Sequence, residues 1–275
     1  MTAIAIITTP DRMWIASDGA AYTEPDGILR HIAPKVVLCP DWDCVISSRG
    51  MGLAAEAMRM RGLRHNARDF DELVENASEL AEVAEADLSL SARGVTHHFT
   101  LILSGYSRSR QTFETHTVRT RPGPGWDADA GQIVELPPFG VSRQPALLLL
   151  PEPAEEIAAH FGLELPRGQA NFQLTNPEMY VQQAVMACRY CPGRLPDAPE
   201  DAPVHGCVGG FVQVTRMSVH LPPAPPDQQP SGEPLVMMDT AITHRWPDVI
   251  GEPIDMERGS LPPWALAPWP DSIAT

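Results

Sequence analysis

Lysine is almost missing from this chain: among its 20 basic side chains, Lys35 is the single lysine and the remainder are arginine. Positive charge of any kind is scarce, since 35 acidic residues leave a formal net charge of −15. Binding nucleic acid requires basic surface to displace condensed counterions. Docking to an anionic membrane makes the same demand. Neither class of partner is expected. Long apolar runs are also absent, none reaching the roughly eighteen residues of a spanning helix. The first residues lack a basic leader region, and Pro10, Asp11 and Arg12 interrupt their apolar run, so no signal peptide is expected. The five cysteines are odd in number and sparse for 275 residues. They suit a reducing cytoplasm better than a disulfide framework.

Proline, by contrast, is abundant, and twelve of the 29 prolines fall between residues 221 and 275. Stretches such as LPPAPPDQQPSGEP and LPPWALAPWP do not read as the interior of a helix or sheet. Trp246, Trp264 and Trp269 lie in the same region, whereas disordered segments are poor in aromatics. The expectation is one domain over residues 1–220, followed by an extended arm over 221–275 held down by tryptophan anchors.

The rest of the chain alternates between strand and helix blocks. TAIAIITT and MWIASDG, separated by PDR, read as an opening hairpin, and PKVVLCPDWDCVISS repeats the pattern. GLAAEAMRMRG reads as a helix with Gly62 as its stop. DFDELVENASELAEVAEADL reads as one long helix, with Asp69 and Glu72 in capping-box spacing. HHFTLILSGYS and QTFETHTVRT are strands, residues 122–125 a Gly/Pro loop, and GQIVELP a further strand. PAEEIAAHFG and NPEMYVQQAVMACRYC are helices, the second opened by Asn176 and Pro177. CVGGFVQVTRMSVHL reads as a closing hairpin. Hairpins in place of βαβ crossovers predict antiparallel sheets, hence an α+β fold: a four-layer αββα sandwich.

Several spacings suggest chemistry. GMGLAA (Gly50 to Ala55) fits a dinucleotide fingerprint, but no second parallel strand with a terminal acid follows, so no nucleotide site or other cofactor is expected. Cys188, Cys191, His205 and Cys207 could supply a Cys₃His zinc set. Cys188 falls on an apolar helix face and the second pair is His-x-Cys, so these cysteines are read as structural and no metal is expected. His97 and His98 have no matching ligand cluster and are read as structural.

The strongest constellation opens the chain. A hydroxyl needs a nearby base to act as a nucleophile. Thr2 gains its own base if Met1 is removed, because the freed α-amine titrates near about 7.7–8.0. Asp18 ends the second strand and Lys35 begins the next apolar strand. In an antiparallel sheet, neighbouring strands lie about 4.8 Å apart, so the two side chains can meet beside a first-strand threonine. A fixed positive charge there lowers the pKa of both groups on Thr2. Gly50, in SSRGMG, offers a backbone N–H as an oxyanion donor.

TAIAIITTPDRMWIASDGAAYTE together with HIAPKVVLCPDWDCVISSRGMGLAAEA resembles the opening of proteasome β-type subunits and of the related bacterial ATP-dependent peptidase. These are N-terminal nucleophile (Ntn) hydrolases. Thr2, Asp18, Lys35 and Gly50 match that family's pattern, allowing one inserted residue before Lys35. The resemblance covers residues 2–60 well, extends in element order to about residue 220, and is absent from the arm. It implies an αββα sandwich, threonine hydrolysis of a peptide or amide substrate, and self-association into a homo-oligomer. It also admits an unfoldase or assembly partner. Where the family supports its threonine with Ser and Asp, APVHGCVGGF supplies Cys207 and Gly209. Lysine in place of arginine then has a reason: an ammonium is compact and can lose its proton, which a guanidinium does not. The alternative is a non-catalytic assembly or structural protein on the same fold.

Overall fold

The computed structural model describes residues 2–23, 27–91, 98–127, 131–153, 155–163, 175–191, 204–220, 233–256 and 258–259. The chain opens with strands β1 (Ile4–Thr8), β2 (Arg12–Asp18), β3 (Ala20–Tyr22), β4 (Leu29–Ile32), β5 (Val36–Cys39) and β6 (Cys44–Gly50). Helices α1 (Ala54–His65), α2 (Phe70–Glu75) and α3 (Ala77–Ser91) follow. Next come β7 (Phe99–Ser107), β8 (Thr112–Arg119), β9 (Gly123–Asp127), β10 (Gln132–Leu136), β11 (Val141–Arg143) and β12 (Leu147–Leu150). Helices α4 (Glu155–His160) and α5 (Pro177–Arg189) precede β13 (Phe211–His220) and β14 (Leu235–Arg245).

The fold is α+β, with two five-stranded sheets ordered β12-β1-β2-β13-β14 and β11-β8-β7-β6-β5, plus the ribbons β3-β4 and β9-β10. Neighbouring strands in both sheets run antiparallel. Strand alternation divides the core. Ile4, Ile6, Met13 and Ile15 of the first sheet pack with Val36, Val45, Ile102 and Phe113 of the second. Ala3, Ala5, Ile7 and Ala16, on the opposite face, pack with Val181, Ala184 and Val185 of α5. Cys44, Ile46, Leu101 and Leu103 meet Ala54, Met58 and Leu73 of the helices α1 and α2.

Several local expectations are corrected. Gly62 does not stop α1, which continues to an Asn66 cap at φ 59°. A Cβ at Gly62 would lie 2.7 Å from the Trp42 ring, so glycine is there to admit the indole. The long helix read at 70–88 breaks at Asn76, whose side-chain amide donates to the Glu72 carbonyl at 2.8 Å, a local bond that competes with helix continuation. The capping reading holds, with Asp69 accepting from the Glu72 N–H at 2.9 Å. The Gly/Pro loop at 122–125 belongs largely to β9. Pro124 is tolerated there because the ribbon has only one ladder.

The larger correction concerns the C-terminal region. The described part of the expected closing hairpin, residues 207–220, does not fold back on itself. β13 pairs instead with β14, from Phe211↔Arg245 to His220↔Leu235. Part of the expected arm is thus the edge strand of the first sheet. The eleven residues LVMMDTAITHR contain no proline, and it is this gap in the proline pattern that permits pairing. Trp246 is buried, as an anchor should be; Trp264 and Trp269 lie outside the described residues. No helix among the described residues is long and apolar enough to cross a membrane.

The segment after β14 is pinned by a fully buried arginine. Arg189, at the end of α5, donates to both oxygens of Asp248, at 2.8 and 3.1 Å. It also donates to the carbonyls of Val208 (2.9 Å) and Asp255 (2.6 Å), and its guanidinium carbon sits 4.7 Å from the Trp246 ring centre. Removing one partner of such a pair strands the other charge, whereas replacing both by apolar groups is far milder. Asp248→Ala should therefore lower unfolding free energy by about 3–5 kcal/mol. The double change Arg189→Met with Asp248→Leu should lose less, as read from urea denaturation midpoints.

Candidate active site at the start of the first strand

Asp18 ends β2 with its carboxylate fully buried. One oxygen accepts from the Ala3 N–H at 3.0 Å and from Lys35 Nζ at 2.8 Å. The other accepts from the Ala20 N–H at 3.1 Å and the Gly209 N–H at 3.4 Å. A carboxylate offers about four acceptor sites, so each has a donor. The Asp18 N–H in turn donates to the Ala3 carbonyl at 3.2 Å. Thr2 is thereby attached to a backbone held by the ion pair, and it is itself 7% exposed.

Lys35 reaches this carboxylate by a different route from the one read in the sequence. β2 and β5 are not neighbours in one sheet; they lie in different sheets. Lys35 stands just before β5 at the edge of the second sheet, so the ion pair bridges the two. The β3-β4 ribbon guides the chain back, and the Ala33 N–H donates to the Gly19 carbonyl at 2.9 Å. Gly19 also donates to the Gly209 carbonyl at 3.1 Å. A Cβ on Gly19 would lie 2.7 Å from the Phe211 ring, so only glycine lets these three segments converge.

The Lys35 side chain is 13% exposed. Burial pulls its pKa below the ordinary lysine value, while the charge and hydrogen bond of Asp18, and more weakly Cys207, oppose the fall.

Gly50 is placed less closely. It ends β6 at φ 93°, opposite Phe99, and a Cβ there would collide with the His98 carbonyl. Register sets Val36 opposite Ser47, so Gly50 stands two residues beyond the position facing Lys35. Among the described residues no hydrogen bond joins it to the Asp18–Lys35 pair. The GMGLAA segment leads into α1 from a strand with antiparallel neighbours, not from a βαβ unit.

The residues of the zinc reading make other contacts. Cys188 donates to the Pro151 carbonyl at 3.4 Å, and burial raises its pKa. Cys191 donates to the Ala187 carbonyl at 3.7 Å. Cys207 Sγ lies 3.7 Å from His205 Nδ1. Among the described residues no group of three or more His, Cys, Asp or Glu is arranged to hold a metal. His98 approaches the Thr120 hydroxyl at 3.4 Å, and His97 lies outside the described residues. A residue the sequence did not single out is Asp248, which accepts from the Gly210 N–H at 2.7 Å. It carries no motif; only the three-dimensional convergence exposes it.

One titration reads this site directly, because Lys35 is the lone lysine. Protein labelled with ¹³C at lysine Cε should give a single signal with a midpoint below 10.5, moving lower still in Asp18→Asn. The unfolded state then holds more protons between the folded midpoint and 10.5, so the Lys35 contribution to stability rises with pH across that window. A midpoint at or above 10.5 contradicts the burial argument.

No protein-family profile matches the chain, and no curated protein matches it in sequence. Among solved structures it is similar to Anbu (ancestral beta-subunit) from Yersinia bercovieri, with a TM-score of 0.45 and 11% identity, covering 78% of this chain and 81% of that one. It is also similar to an Anbu (Gly-1) mutant from Hyphomicrobium sp. strain MC1, with a TM-score of 0.43 and 11% identity, covering 78% and 80%. The functional assignment therefore rests on the chain's own residues.

Proposed function

We propose that this chain is a threonine amidohydrolase or peptidase of the Ntn type, with Thr2 as nucleophile once Met1 is removed. The observation that carries the reading is the buried Asp18–Lys35 pair, hydrogen-bonded to the backbone N–H of Ala3 beside Thr2. In this reading the Thr2 α-amine accepts the hydroxyl proton while Oγ attacks an amide carbonyl. The same amine returns the proton to the departing nitrogen, leaving an ester on Thr2. Water, deprotonated by the amine, then releases the acid product. Lys35 lowers the pKa values at Thr2, Asp18 holds Lys35 in place, and the Gly50 N–H stabilises the oxyanion. Nucleophile and base come from one residue, so the chemistry needs no cofactor. The αββα layering, the cytoplasmic setting and assembly into a homo-oligomer belong to the same proposal.

The deciding experiment is an intact mass, taken with and without an electrophile that must bond both a threonine hydroxyl and a free α-amine. The expected result is protein lacking Met1 and carrying one adduct, which Thr2→Ala does not form. Lys35→Arg should fold yet slow adduct formation by about two to three orders of magnitude. Retained Met1 with no adduct would refute the hydrolase and favour the assembly protein.

A further inference from the structure

We infer that Arg49 and Arg119 form a carboxylate-binding subsite beside Thr2, selecting peptides or amides with an acidic group near the bond to be cleaved. The inference deepens the function proposed above and rests on it for the identity of the reacting centre.

Register brings the two arginines together. Arg49 of β6 faces Thr100 of β7, and Thr100 faces Arg119 of β8. Strand alternation sets all three on the face that carries Val45, Ile102 and Phe113 toward the first sheet. They occupy the same end of that face as the ion pair, because Lys35 enters beside Ser48, the residue before Arg49. Electrostatic contacts agree. Arg49 interacts with Cys188, Arg119 and Cys207, and Cys188 also feels Asp18 while Cys207 also feels Lys35.

Both arginine residues are half-buried, yet among the described residues neither has an ion pair or side-chain hydrogen bond. Burial and the neighbouring Arg119 pull the Arg49 pKa down. Other arginines of this acidic chain have carboxylate partners, as in Arg61–Asp87, Arg110–Glu114 and Arg216–Glu178. Two adjacent, partly desolvated cations with no anion among the described residues work against folding, and their cost is offset when a ligand supplies the anion.

The surroundings suit a polar ligand. Ser47, Ser104, Thr115 and Thr117 make this end of the inner face polar where the far end is aliphatic and aromatic. Opposite, on the first sheet, the fully buried Ser17 hydroxyl has no hydrogen-bond partner. A carboxylate is the fitting group: its two oxygens match a guanidinium fork, and the Thr100 hydroxyl stands between the two arginines.

The test uses Thr2→Ala protein and two N-acetylated peptide amides that differ only by Glu against Gln, with binding followed by calorimetry. The Glu peptide should bind about tenfold or more tightly. That preference should vanish in Arg49→Gln and in Arg119→Gln and survive in part in Arg49→Lys, which keeps the charge without the fork. Neither Gln variant should melt below its parent, since each relieves repulsion. Equal binding of the two peptides, no binding of either, or a preference unchanged in the variants would overturn the subsite. Adduct formation by wild-type protein with an uncharged electrophile reports separately on Thr2. An adduct without Glu/Gln discrimination defeats the subsite alone, whereas discrimination without an adduct defeats the hydrolase and leaves the subsite standing.

Discussion

A single carboxylate organises this molecule. Asp18 is buried to completion, and burying a charge is unfavourable unless every acceptor site is filled. Its four donors come from the start of β1, the start of β3, the entry to β5 and the approach to β13. These segments belong to both sheets and to the ribbon between them. Moving any of them exposes a buried anion to an unsatisfied position, so the electrostatic demand of one side chain fixes the relative placement of the two sheets at this end. The far end is held differently, by aliphatic and aromatic contacts among residues such as Ile6, Met13, Tyr106 and Phe113.

A second buried pair supports the first. Asp248 receives Arg189 and the Gly210 N–H, while the adjacent Gly209 N–H reaches Asp18. Two neighbouring glycines therefore carry backbone donors to two different anions. No side chain is interposed, which is why the approach to β13 lies so close to both. The ion pair beside Thr2 is thus buttressed by contacts whose other end is near the C-terminal part of the described chain.

Much of this was readable from sequence where the cause is local. The Asp69 cap, the Asn176–Pro177 start of α5 and the hairpin of β5 and β6 follow from residues a few positions apart. Asp18 and Lys35 were also legible as partners, though the meeting takes place between sheets and not within one. What escaped reading has a non-local cause. β14 looked like part of a proline arm because its partner, β13, precedes it across a proline-rich stretch. β12 shows only four leucines, Leu147–Leu150, and acquires its role by pairing with β1. Gly62 carries the usual signature of a helix end, and only the indole of Trp42 against it explains its place in a helix interior. Arg189 and Asp248 stand 59 positions apart, with nothing in either neighbourhood to mark them as a pair.

The bond between Gly209 and Asp18 spans 191 positions, and this sets an order of events during synthesis. A nascent chain that has just emitted its first hundred residues already holds Thr2, Asp18 and Lys35. It lacks one of the four donors to the Asp18 carboxylate, the β13 strand beside β2, and the Asp248 that steadies the glycines. Contacts of such long range form late. The surroundings of the Asp18 carboxylate therefore wait for residues made 191 positions later, so a segment synthesised early is among the last to reach its finished geometry.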